Sequence, residues 1–162
     1  MTGEARPLAY RAEVRAEGMV YGTGRDAPWL LSAYQTLFPK MALRWLQDEA
    51  LRTAHRLDPD PELSLWAPPS TLREAVSVPD APAELRVWAT DPEEQRAAWE
   101  RVRADEPLFT VVPDVDCSYG LCVWPLWHSA ELARPTPTRD GSWWVRPLQS
   151  ASPVVLAENP GR

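Results

Sequence analysis

Cys117, Cys122 and, six residues further on, His128 are the residues whose types and spacing could first do chemistry in this chain. A thiol becomes a nucleophile when a neighbouring base or positive charge lowers its pKa, so either cysteine with His128 is a candidate for a small cysteine-dependent enzyme. The Cys-x4-Cys interval matches neither the Cys-x2-Cys redox motif nor a zinc knuckle, and a four-ligand zinc site would need distant partners such as His55 or an acid. Cys122 lies in the apolar run Leu121-Cys122-Val123, where a small buried hydrophobe is the simpler role. No metal and no cofactor are expected.

Three further groups bear on function. Asp114 and Asp116, with Glu106 upstream, could hold a hard cation or serve hydrolysis if they converged, but Asp is also what a turn between two strands uses. Gly22-Thr23-Gly24-Arg25 precedes an expected helix, the place where backbone N–H groups meet a phosphate, yet it has neither a dinucleotide fingerprint nor a P-loop lysine. The aromatic set Trp124, Trp127, Trp143 and Trp144, with Arg146 beside it, has the composition of an interface anchor. Adjacent Trp143 and Trp144 on a strand point to opposite faces, so if one is core the other is exposed or covers a groove.

The elements that must position these groups follow from pattern. Residues 8–17, LAYRAEVRAE, alternate Tyr10, Val14 and alanines with Arg11, Glu13, Arg15 and Glu17, which predicts a half-buried strand; a short helix is the competing reading. A second short strand is expected at Met19 to Tyr21. From Pro28 to Leu57, Leu30, Tyr34, Leu37, Met41 and Trp45 recur three or four apart, which predicts a helix kinked or divided near Phe38 by Pro39. ELSLWA at 62–67, ELRVWA at 84–89 and GLCVWP at 120–125 read as three tryptophan-bearing strands. Asp91-Pro92 with Glu94 opens a helix to Ala104, and Leu108 to Val112 reads as a buried strand. A helical turn at Ser129 to Ala133, a strand Ser142 to Arg146 and an edge strand Val154 to Ala157 complete the reading.

Strands alternating with helices predict an α/β or α+β fold: one domain over residues 1–150, with 151–162 an edge strand or flexible tail. The sheet is expected to be mixed or antiparallel, with about five to seven short strands and three or four helices packed on it. At 162 residues the chain can bury a sufficient core without disulfides, and two cysteines are too few for a disulfide framework. The net charge of −6 argues against a phosphate-backbone binder, although a local arginine cluster with exposed Trp could stack single-stranded bases. Lys40 is the only lysine among 17 basic residues, a bias that a GC-rich genome explains. No apolar run reaches about 18 residues and the N-terminus lacks a signal-peptide layout, so a cytoplasmic protein without membrane contact is expected. The function these features favour is a non-enzymatic binding or adaptor domain that engages another protein, or itself, through an aromatic and arginine surface. The thiol enzyme is the alternative, and a single-strand nucleic-acid binder stands third.

Overall fold

A computed structural model of the protein describes residues 6–60, 68–71 and 78–132. Four antiparallel strands form one open sheet, and three helices pack against one of its faces, an α+β architecture. The strands are β1 (Ala9–Val20), β2 (Arg25–Thr36), β3 (Leu108–Pro113) and β4 (Cys117–Leu126), in the order β2-β1-β4-β3. The helices are α1 (Pro39–Leu57), α2 (Ala81–Thr90) and α3 (Pro92–Arg103), with a single helical turn at Ser129–Leu132. Among the described residues the sheet is thus purely antiparallel and has four strands where five to seven were expected.

The alternation of residues 8–17 does produce a strand, and Met19 and Val20 continue it instead of forming a separate one. Gly22 and Gly24, with φ of 80° and 62°, then turn the chain directly into β2. Positive φ is open to glycine without steric cost, which is why this turn carries two of them. The Thr23 hydroxyl donates to the Val20 carbonyl at 2.9 Å and accepts from the Arg25 N–H at 3.2 Å, closing the hairpin. The Gly-Thr-Gly segment therefore precedes a strand, not a helix.

Residues 28–36, expected to be helical, are strand, and α1 begins only at Pro39. The cause is a β-bulge. Val14 pairs with Ser32 but Arg15 pairs with Leu30, so Leu31 is an extra residue on β2, and the period-2 signal breaks in mid-strand. What survives is the four-residue spacing of Leu30 and Tyr34, which imitates a helix. ELRVWA at 84–89 errs in the opposite direction: it lies in α2, where Leu85, Trp88 and Ala89 form a buried helical face. The Asp80 side chain accepts from the Ala83 N–H at 3.0 Å and Pro82 sits in the first turn, a helix start of the ordinary kind. ELSLWA and the strands expected at 142–146 and 154–157 lie outside the described residues.

The inner face of the sheet meets the helices. Tyr10, Ala12 and Val14 of β1, Tyr119, Leu121 and Val123 of β4, and Leu108 and Val112 of β3 pack with Leu43, Leu46, Leu85, Trp88 and Val102 into one core. Tyr34 of β2 stacks on Trp45 of α1, with ring centroids 5.6 Å apart. Asp91 ends α2 and opens α3: its N–H donates to the Val87 carbonyl, and its carboxylate accepts from Glu93 and Glu94 at 2.7 and 3.3 Å. One side chain thereby fixes the corner between two helices. Leu46→Ala should lower unfolding free energy by about 2–5 kcal/mol and Asp91→Ala by about 1 kcal/mol, both read from urea midpoints at unchanged slope.

Candidate functional site

Directly opposed residues on neighbouring strands share a face, so the strand register lays out the side of the sheet away from the helices. On β1 it carries Ala9, Arg11, Glu13 and Arg15; on β4, opposite them in turn, Leu126, Trp124, Cys122 and Gly120; on β3, Phe109 and Val111, opposite Cys122 and Gly120.

Charge is concentrated at the centre of this face. The Glu13 carboxylate is held from both sides, by Arg11 Nε on Oε1 at 2.5 Å and by Arg15 Nη2 on Oε2 at 2.5 Å. The Arg15 guanidinium also lies over the Trp124 ring, 4.9 Å from its centroid. That geometry is a cation–π contact, worth more when water is excluded from it. Arg11 and Glu13 are only 3% and 2% exposed. Charges are found buried to that degree when they are paired and hydrogen-bonded.

Among the residues singled out for chemistry, strand parity separates the two thiols. Cys117 and Cys122 are an odd number of positions apart on β4, so they project from opposite faces. Cys117 packs partly buried against the helix-side core, and Cys122 is completely buried on the outer face. Desolvation pushes the Cys122 thiol up to about 12, with Glu13 adding to the rise and Arg15 opposing it, the reverse of an activated thiolate. His128 is exposed just beyond the end of β4, and its backbone N–H donates to Glu131 Oε2 at 3.0 Å.

Asp114 and Asp116 are turn residues between β3 and β4. The Asp114 carboxylate accepts from the Val115 N–H at 2.8 Å and its own N–H donates to the Cys117 carbonyl at 2.8 Å. Glu106 faces Arg101 at 3.9 Å. No group of three or more His, Cys, Asp or Glu side chains that could hold a metal ion occurs among the described residues.

Of the aromatic set, Trp124 lies on the outer face and Trp127 is 40% exposed past its end. Trp143, Trp144 and Arg146 lie outside the described residues. Two features of this face escape a reading of the sequence alone. Arg11, Glu13 and Arg15 look like the solvent side of a half-buried strand, although opposite charges two apart on one strand are the available sign of a pair. Phe109 and Val111 belong to a strand expected to be buried, yet they are 60% and 50% exposed while Leu108 and Val112 enter the core.

Compared with known proteins, the chain matches no family model, no curated protein and no solved structure. No helix among the described residues is long and apolar enough to cross a membrane.

The buried acids give the fold a pH dependence of definite sign. Burial, and then the hydrogen bond and charge of Asp105, push the Tyr10 hydroxyl up to about 12. For both Tyr10 and Cys122 the folded pKa is raised, so the unfolded chain gives up the proton first and unfolding is favoured as pH rises. The stability they contribute should be intact below pH 9.0 and lost progressively toward about 12. In urea titrations across that range, Cys122→Ala should show a shallower decline than wild type, beginning nearer the ordinary tyrosine value of 10.0.

Proposed function

We propose that this chain is a non-enzymatic protein-binding domain that engages a partner protein, or a second copy of itself, through the aromatic and arginine-bearing outer face of its sheet. The observation that carries this reading is the conjunction of Phe109 and Val111, both at least half exposed, with the Arg15–Trp124 stack across β4. Contiguous exposed apolar surface beside a tryptophan and an arginine is the composition of an interface hot spot.

Position in the sheet adds to it. Among the described residues β3 is an edge strand with no partner on one side of its backbone, and an extended peptide could add there by backbone hydrogen bonding. Phe109 and Val111 would supply the side-chain contacts on the outer face. Arg15 favours the same use: its side chain is 29% exposed, and its pairing with Glu13 and its stack on Trp124 hold the guanidinium in one geometry, as selective recognition requires.

Phe109→Ser and Val111→Ser remove exposed side chains and should change stability by no more than about 0.5 kcal/mol. Each variant should keep the wild-type melting temperature while losing self-association in light scattering, or losing capture of the partner that wild type retains. Unchanged association in both variants, at unchanged stability, would rule out this face.

A further inference from the structure

We propose that the open edge of β3 takes a short extended peptide carrying lysine or arginine at both ends, added to the sheet as a further strand; this names the partner class for the outer-face reading and rests on it. The starting observation is the direction in which the backbone of β3 points. The Asp114 N–H donates to the Cys117 carbonyl at 2.8 Å, and that pair continues the register in which Leu108 opposes Val123 and Val112 opposes Tyr119. Hydrogen-bonded pairs recur at every second residue of an antiparallel ladder. Leu108, Thr110, Val112 and Asp114 therefore turn N–H and C=O toward β4, and Pro107, Phe109, Val111 and Pro113 turn theirs away.

The two prolines have no N–H to present. The free edge thus offers two donors, on Phe109 and Val111, and a carbonyl at each of the four outward positions, all of them exposed residues. Proline at outward positions costs the ladder to β4 nothing and stops a long flat pairing at either end. The segment that fits is short: two of its residues, opposite Phe109 and Val111, exchange two backbone hydrogen bonds each.

Charge selects the occupant. From Asp105 to Trp127 the chain carries four acids, Asp105, Glu106, Asp114 and Asp116, and no lysine, arginine or histidine. Asp105 accepts from the Tyr10 hydroxyl, but Glu106 lies just before Pro107 and Asp114 and Asp116 just after Pro113, so both ends of the edge are negative. Arg101 is 3.9 Å from the Glu106 carboxylate, in an exposed pair that holds little energy and leaves it open to a second cation. The same charges turn a second copy away. The pairing that satisfies both donors of two copies sets Phe109 against Val111 in each direction about a twofold axis at Thr110, and it brings Glu106 of each copy opposite Asp114 of the other. Two chains of net charge −6 also repel as they approach. A segment with basic ends meets attraction at both places.

The nonapeptide Lys-Lys-Thr-Val-Thr-Val-Thr-Lys-Lys reads alike in either strand direction and sets its valines opposite Phe109 and Val111, with its terminal lysines opposite Glu106 and Asp114. Fluorescence anisotropy of the labelled peptide with the full-length wild-type chain should show saturable binding that weakens at least about tenfold between about 0.05 M and about 0.5 M salt. Analogues with Glu in place of Lys, or with both valine nitrogens methylated, should each bind at least about tenfold more weakly. Val111→Pro removes an outward N–H and no bond to β4, and should lose the peptide while α1 amides stay protected from exchange. No binding of the lysine peptide, or equal binding of either analogue, overturns the proposal; if Val111→Pro does not fold, the methylated analogue on wild type decides. Light scattering on Phe109→Ser and Val111→Ser separates the two readings: association lost in those variants, with the lysine peptide failing on wild type, keeps the binding face and overturns only the basic strand as its partner.

Discussion

The carboxylate of Glu13 is the constraint around which the sheet is arranged. An ion taken out of water costs several kcal/mol unless opposite charge and hydrogen bonds replace its hydration. Here both replacements come from the same strand: Arg11 and Arg15 lie two positions to either side, on the same face, and each binds one carboxylate oxygen. Because side chains alternate along a strand, shifting β1 by one residue against its neighbours would drive all three charges into the helix-side core and turn Tyr10, Ala12 and Val14 outward. The row is thus a register pin as well as an ion pair, placed on a strand with neighbours on both sides.

The helix layer meets the opposite demand: the side chains it buries are mostly apolar, with Glu49 and Thr53 of α1 the polar exceptions among the described residues. The Tyr10 hydroxyl donates to Asp105, which sits at a φ of 59° in the tight connection from α3 to β3. Gln95 donates to the Trp88 carbonyl and accepts from Gln47, joining all three helices through one amide. At Gly18 the backbone of β1 approaches β4 so closely that a Cβ would lie 2.9 Å from the Asp116 carbonyl oxygen and from the Cys117 Cβ. That contact requires glycine for space, where the hairpin glycines are required for conformation.

What could be read from the sequence divides along physical lines. β1, α3 and β4 were legible because each carries an uninterrupted signal: strict alternation, a cap with proline behind it, an apolar run. β2 was not, because the extra residue at Leu31 breaks its alternation and leaves a helical spacing in place. α2 was misread because ELRVWA satisfies both periods, and only the preceding Asp80 and Pro82 distinguish them. At the candidate site, Trp124 and the burial of Cys122 could be anticipated, but the Arg-Glu-Arg row could not. A charged face signals solvent in a sequence, and its burial depends on contacts no local pattern contains.

The same alternation governs which chemistry the chain can assemble. Proximity in sequence suggested a cysteine pair with a histidine; parity places the thiols on opposite sides of β4, and burial raises the pKa of the one that shares a face with the arginines. Cys122 and Trp124, an even interval apart, fall together instead, on the face where Arg15 stacks over the tryptophan and Glu13 lies opposite the thiol.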